Sequence, residues 1–224
     1  MRAPISVVIP TLNSQPQLGM CLESLMQGVE AGLIRELIVS DGGSNDATVE
    51  LAKAWGAEII EGAASRGGQL RRGSALAEGR WMLILHADTT LDADWVGAVV
   101  EHMETGRAGW FQLAFERGGC AGKIVSAWAN LRSRFGLPYG DQGLFLPARL
   151  YEAVGGYADQ PLMEDVAIAR ALRGQLSMIN AVARTSAVRY KRQGWLRRGF
   201  CNIWTLARYF GGVSPHELSQ TYRS

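Results

Sequence analysis

Asp88 closes the segment Leu85-His86-Ala87-Asp88-Thr89, which follows the apolar run Trp81 to Ile84. Such a run reads as a buried strand, and the carboxyl edge of an open α/β sheet is where ligands sit. A hard acidic oxygen there suits Mg²⁺ or Mn²⁺ on a diphosphate; the alternative is a polar loop after a strand. Four other clusters follow strand ends or open helices. Pro10-Thr11-Leu12-Asn13 comes after the first strand and lacks the GxGxxG of dinucleotide binders and the GxxxxGK[ST] of a P-loop. Its Thr and Asn are also ordinary helix-capping residues.

Ser40-Asp41-Gly42-Gly43-Ser44-Asn45-Asp46 ends a strand on an acid that can accept a hydrogen bond from a base, and its glycines allow backbone to approach a ligand closely. Asp46, two residues before Thr48, reads as the cap of the next helix. Arg66-Gly67-Gly68-Gln69-Leu70-Arg71-Arg72-Gly73 is a basic, glycine-rich helix entry whose N–H groups and arginines favour phosphate, with a surface loop as the alternative. Leu162-Met163-Glu164-Asp165-Val166 opens a helix on two acids. Negative charge is stabilising there in any protein, and such a pair can also include a general base.

The elements that must position these residues alternate. Strands are expected at Ile5–Ile9, Glu36–Ser40, Ala57–Ile60 and Trp81–Leu85. Helical spacing lies between them, through Leu18, Cys21, Leu22, Leu25, Met26 and Val29, and again through Val49, Ala52 and Trp55. Alternation of this kind builds βαβ units and a parallel sheet. Beyond Thr90 the sequence predicts a helix at Trp95–Met103 and a strand at Gly109–Phe115. A helix follows at Lys123–Phe135 with Ile124, Trp128, Leu131 and Phe135 inward, then a strand at Gly140–Pro147, a helix at Glu164–Leu172 and a weak strand near Leu176–Ile179.

Leu196, Phe200, Ile203, Ala207 and Phe210 then share one helical face, with Arg197, Arg198 and Arg208 mostly off it. A basic amphipathic helix can lie on an anionic membrane. The alternative is a helix docked on the core with a solvated basic face.

The 224 residues are 47% hydrophobic and 20% charged, which excludes a disordered chain, and a net charge of +2 says little about partners. Neither an internal repeat nor a long linker divides the chain, so one domain is expected. It comprises a nucleotide-binding half over 1–90, an acceptor and catalytic half over 91–185, and a basic amphipathic segment over 186–224. Cys21, Cys120 and Cys201 form no CxxC pair, so neither zinc nor a disulfide framework is expected. No leader is expected before Ile5, and no apolar run reaches the ~20 residues that span a bilayer. The expected location is cytoplasmic, with any membrane contact peripheral on the inner face of the cell membrane.

Taken in order, Val7-Val8-Ile9-Pro10-Thr11-Leu12-Asn13, Asp41-Gly42-Gly43-Ser44, Gly79-Arg80-Trp81 leading to His86-Ala87-Asp88, and Glu164-Asp165 resemble the signature of family 2 glycosyltransferases. With Gly140-Asp141-Gln142-Gly143 and Pro161-Leu162-Met163, the His-Ala-Asp-Thr form is similar to a bacterial subgroup named radical-SAM/selenodomain-associated transferase 2. The resemblance implies a GT-A fold: α/β, with a Rossmann-like, mostly parallel sheet flanked by helices and here a C-terminal amphipathic helical segment. It also implies a nucleotide-sugar donor, expected to be a UDP-sugar, a divalent metal, and inversion at the anomeric carbon.

Carried over by residue, Pro10, Thr11, Asn13 and Asp41, with Gly42, match nucleoside-binding positions. Gly68, Gln69 and Arg71 lie in the loop reaching base and diphosphate. Asp88 matches the final acid of DxD and bears the metal. Asp165 matches the catalytic base with Glu164 beside it, Asp141 faces sugar or acceptor hydroxyls, and Arg189 adds positive charge for the diphosphate.

Three departures stand out. His86 replaces the first acid of DxD, which tilts metal preference from Mg²⁺ toward Mn²⁺. Arg71 stands where the family commonly has Asn. Gln193-Gly194-Trp195-Leu196-Arg197 does not match the Gln-x-x-Arg-Trp of processive synthases, which favours a single addition. The acceptor is an unidentified hydroxyl, with a lipid-linked one among the candidates. Two other readings compete: a membrane-associated nucleotide-sugar-binding protein without catalysis, and a sugar-1-phosphate nucleotidyltransferase, which would carry a Gly- and Arg-rich loop after the first strand. No element for nucleic-acid recognition accompanies the arginines near Arg197.

Overall fold

Alternate residues of the first strand divide between two cores, because side chains of a strand point to opposite faces of the sheet. A computed structural model describes residues 2–223. In it Ile5, Val7 and Ile9 of β1 (Ile5–Thr11) pack on one side with Leu18, Cys21 and Leu22 of α1 (Gln15–Ser24), whereas Val8 packs on the other with Leu70 of α4 (Arg66–Leu76). Full burial of each such aliphatic side chain contributes roughly 1.5–3 kcal/mol. A strand covered on both faces must be apolar throughout, and Ile5-Ser6-Val7-Val8-Ile9 nearly is.

The remaining strands are β2 (Ile34–Asp41), β3 (Glu58–Glu61), β4 (Trp81–Ile84), β5 (Thr89–Leu91), β6 (Ala108–Glu116), β7 (Leu144–Pro147) and β8 (Leu176–Ser186). All eight form one sheet in the order β3-β2-β1-β4-β7-β6-β8-β5. β3, β2, β1 and β4 run parallel, as do β6 and β8, while β7 is antiparallel to both β4 and β6. The chain leaves β1 on one side toward β2 and returns on its other side as β4. This reversal opens a crevice at the carboxyl ends of β1 and β4, the place where doubly wound sheets bind ligands.

Helices α2 (Met26–Glu30), α3 (Thr48–Ala54), α5 (Trp95–Met103) and α7 (Ala148–Ala153) fill the crossovers, and α8 (Glu164–Ala171) precedes β8. The helix expected through Leu18 and Val29 is two helices broken at Leu25. Gly140–Gln142 is a 3-10 turn, not strand, and β7 begins only at Leu144. Asp46 accepts from the Thr48 amide at 3.1 Å, but it stands one residue before the cap of α3, which is Ala47 and makes no side-chain capping bond.

A larger correction concerns α6 (Gly119–Arg134): Ile124, Trp128, Leu131 and, just past the end, Phe135 face outward, with Phe135 80% exposed. The buried side is instead Gly122, Ala129 and Ser133, with Val125 packed against Leu113 and Phe115. Small residues are required there because Trp195 lies over Gly122: a Cβ on Gly122 would sit 3.1 Å from the indole.

The C-terminal helices are α9 (Val188–Gln193), α10 (Trp195–Phe210) and α11 (Pro215–Arg223). α10 docks through Trp195, Arg198, Thr205, Leu206 and Tyr209. Its apolar stripe of Leu196, Phe200, Ile203 and Phe210 is exposed, the reverse of a helix docked on the core by its apolar face, while Arg197 is exposed and Arg208 half-buried. Arg198 is the buried arginine, bonded to Gln193 at 3.2 Å and to the Tyr222 hydroxyl.

Candidate functional site

The loops after β1 and β2 are stitched together by their own polar side chains. The Asn13 amide donates to Ser44 Oγ and the Asn45 amide to Asn13 Oδ1, both at 2.8 Å. Asn13 takes the left-handed conformation (φ 49°), which Asn tolerates better than most residues. Asp41 is 1% exposed and accepts four bonds, from Thr11 Oγ1, Ser44 Oγ and the Gly43 and Ser44 amides. Burial alone would raise its pKa; the hydrogen bonds outweigh that and hold the carboxyl below its ordinary range. A carboxylate accepting four bonds has used its lone pairs, so Asp41 shapes the loop and does not face the cavity. Gln69 Nε2 ties the same loops by donating to the Thr11 and Ser40 carbonyls at 2.7 and 3.0 Å. Its amide packs on Gly42, where a Cβ would come within 3.1 Å.

The glycines that open α4 have a packing reason. A Cβ on Gly67 would lie 2.1 Å from the Ala158 carbonyl, and one on Gly68 would lie 2.6 Å from Asp159 Oδ1. The Gly67 amide donates to Gln160 at 3.1 Å and that of Gly68 to Ser65 Oγ at 3.4 Å, so these N–H groups serve the protein itself. The segment 158–160 therefore rides on α4 and leads directly to Asp165. Helical periodicity then separates the arginines: Arg66, three residues before Gln69, lines the cavity with it, whereas Arg71 is exposed on another side of the helix.

His86 and Asp88 follow β4. Burial, together with Arg66 and Arg189, pushes the His86 imidazole down to about 3, so it is neutral at physiological pH and able to ligate a metal. Gly140 lies against it, because a Cβ there would sit 2.4 Å from His86 Nε2. The Gly140 amide donates to Asp165 Oδ2 at 3.0 Å, and the Val166 amide donates to Oδ1 at 2.7 Å. Asp165 is thus oriented at the start of α8, immediately after Met163 in the left-handed conformation (φ 63°).

The turn that carries Gly140 is held by Gln142, which is fully buried. Its Oε1 accepts from Ser133 Oγ at 2.6 Å and from the Tyr139 amide at 3.3 Å, and its Nε2 donates to the Phe111 carbonyl at 3.3 Å.

Pro10, Thr11, Asn13, Arg66, Gln69, His86, Asp88, Asp141, Asp165 and Arg189 line one cavity of about 670 Å³. Asp41, Gly42, Gly68, Arg71 and Glu164 do not line it. Glu164 is 1% exposed behind the cavity wall, with Arg66 Nη1 3.4 Å from Oε1 and no partner on Oε2. Burial drives its carboxyl up to about 7; Arg66 opposes that shift and Asp165 adds to it. Asp141 is pushed up to about 6, by burial first, with Asp165 and Asp88 repelling its charge and Arg132 and Arg66 opposing.

Its Oδ1 is buried without a partner. An exposed carboxylate at Asp88 and a neutral imidazole at His86 are donor types that suit a divalent cation, and they line the cavity with this unpartnered oxygen. No cluster of three His, Cys, Asp or Glu stands ready for a metal among the described residues. Tyr139, Tyr190, Arg198, Asn202 and Tyr222 also line the cavity and were not anticipated. They come from the turn before β7 and from α9 to α11, and only long-range packing brings them there.

Residues 6–147 match the model of Glycosyl transferase family 2. Over 108 residues the chain is 36% identical to PGL/p-HBAD biosynthesis glycosyltransferases of Mycobacterium bovis and Mycobacterium tuberculosis. That alignment covers 44% of this chain and 41% of the relatives, so the chain matches about two fifths of their length. Among solved structures, glucosyl-3-phosphoglycerate synthase from Mycobacterium tuberculosis superposes with a TM-score of 0.57 at 22% identity, over 82% of this chain and 70% of that one. Residues 1–349 of TarS from S. aureus superpose at 0.65 and 13% identity, over 91% and 64%. These likenesses establish the GT-A fold, and with the family model covering more than half of its length, the chain belongs to glycosyl transferase family 2.

Proposed function

We propose that the protein is an inverting glycosyltransferase that moves a sugar from a nucleoside-diphosphate sugar, most simply a UDP-sugar, to an acceptor hydroxyl. The observation that carries this reading is the convergence of three separate chain segments on one cavity. Pro10–Asn13 after β1, His86–Asp88 after β4 and Asp165 at the head of α8 all line it. Its volume, about 670 Å³, suits a ligand of nucleotide-sugar size. The donor class has support from relatives of the same fold: structures exist of the mycobacterial synthase with Mn²⁺ and UDP-glucose and of TarS with UDP-GlcNAc.

In the reaction Asp165 takes the proton of the acceptor hydroxyl as that oxygen bonds to the anomeric carbon. The bond from that carbon to the diphosphate oxygen breaks, and its electron pair leaves with the nucleoside diphosphate. One displacement needs one base and inverts the centre. The amides of Gly140 and Val166 fix the Asp165 carboxylate, and a positioned base of this kind contributes about 10²–10⁴ in rate. Asp88 and His86 would hold a divalent cation, which would supply positive charge for the departing diphosphate. Arg66 and Arg189 add positive charge at the same wall. Glu164 acts through Arg66 as a positioning residue. In this reading 1–90 supplies the donor side and 91–185 the acceptor side.

Calorimetry of UDP with and without Mn²⁺ tests the donor site. Wild-type protein is expected to bind UDP more tightly when Mn²⁺ is present, and Asp88→Ala to lose that enhancement. Equal UDP affinity of the variant and the wild type in Mn²⁺ would reject the metal role of Asp88.

A further inference from the structure

The outward stripe of α6 and that of α10 belong to helices packed against each other. On α6 the exposed side chains are Ile124, Trp128 and Leu131, with Phe135 at its end. On α10 they are Leu196, 91% exposed, then Phe200, Ile203, Trp204 and Phe210. Exposed single apolar residues need no explanation, but two stripes of large ones on contacting helices do.

Charge identifies the occupant. Together α6, α9 and α10 carry nine of the chain's 23 Lys and Arg and none of its 21 Asp and Glu, so the remainder of a chain of net charge +2 is acidic. Lys123, Arg134, Lys191, Arg192 and Arg197 are exposed beside the stripes. Large apolar side chains including tryptophan, on helices that carry lysines and arginines and no acids of their own, complement a surface that is apolar beneath an anionic layer, although Arg208 of α10 is already paired with Glu217 of α11.

We infer that the α6–α10 face docks on an anionic phospholipid bilayer. Both stripes insert at the headgroup boundary, and the cations beside them meet lipid phosphates. α10 is two-sided in this arrangement, since Arg198 and Asn202 on its opposite face line the cavity. The bilayer then lies about one helix diameter, ~10 Å, from the site. The inference concerns an interaction surface and stands whether or not the transferase reading holds.

The test is co-sedimentation of the full chain with vesicles of phosphatidylglycerol and phosphatidylcholine, against phosphatidylcholine alone, at low and high salt. Binding is expected only with phosphatidylglycerol and is expected to weaken as salt rises. Leu196→Glu with Phe200→Glu on α10, and separately Trp128→Glu with Phe135→Glu on α6, are each expected to lower partition at least about tenfold. These side chains are exposed, and unchanged circular dichroism with unchanged UDP binding would show that the variants fold. Equal binding to both vesicle types, or loss in the α10 pair alone, would overturn the two-helix surface. A dimer in sedimentation velocity that either pair converts to monomer would assign the face to a second copy of the chain and also overturn it.

Discussion

Glu164 and Asp165 are neighbours with opposite environments, and the difference assigns their work. Asp165 lines the cavity and receives two backbone amides, whereas Glu164 points into the protein with one oxygen unpartnered. Its pKa is raised from the ordinary 4.5 to about 7. The unfolded chain therefore ionises Glu164 at lower pH than the folded chain does, so folding stability falls as pH rises through that interval and levels off above it. Glu164→Gln removes the term. The variant's melting temperature is expected to gain on the wild type between pH 5 and pH 8; a difference that stays constant across that range would contradict the buried, proton-holding carboxyl.

At the scale of elements, the phase of α4 decides which arginine lines the cavity where the proposed diphosphate would sit. Arg66 shares a face with Gln69, and Arg71 does not. Arg66→Lys is expected to weaken UDP binding several-fold, because an ammonium cannot reproduce the guanidinium fork. Arg71→Ala is expected to leave it unchanged, and titration of both variants with UDP checks the assignment. The sequence already pointed to this helix entry as basic and glycine-rich, but without the helix phase it placed Arg71 rather than Arg66 at the ligand.

The same lesson holds for α6. Its hydrophobic period was legible, yet periodicity reports which residues share a face and not which face is covered. Gly122, Ala129 and Ser133 face inward because Phe115 and Trp195 approach closely, a long-range fact that no local pattern carries. The first four strands were legible to within about two residues; for β1 and β4 the reason is that strands buried on both faces are continuously apolar. Gln142 shows what a motif hides. It reads as part of a polar signature, but its side chain saturates the turn that presents Gly140 to Asp165. Gln142→Leu removes one partner each of the Ser133 hydroxyl, the Tyr139 amide and the Phe111 carbonyl and is expected to cost about 1–3 kcal/mol in urea denaturation; an unchanged midpoint would show the turn to be held by other contacts.

Across the whole molecule, residues separated by as many as 212 positions, from Pro10 to Tyr222, line a single cavity at one sheet edge. His86 and Asp88 sit at the return point of the chain beside β1. They are joined to the base by Gly140, which touches the imidazole on one side and binds the Asp165 carboxylate on the other. The strands on the proposed donor side and the helix that carries the proposed base therefore meet through Gly140, with the Asp165 carboxylate at the junction.

The most direct test compares wild-type protein with Asp165→Asn for UDP release from a panel of UDP-sugars with Mn²⁺, water serving as acceptor, alongside calorimetric UDP binding. The account predicts release by the wild type from at least one sugar, a fall of about 10²–10⁴ in the variant, and retained UDP affinity; undiminished release by Asp165→Asn would contradict it.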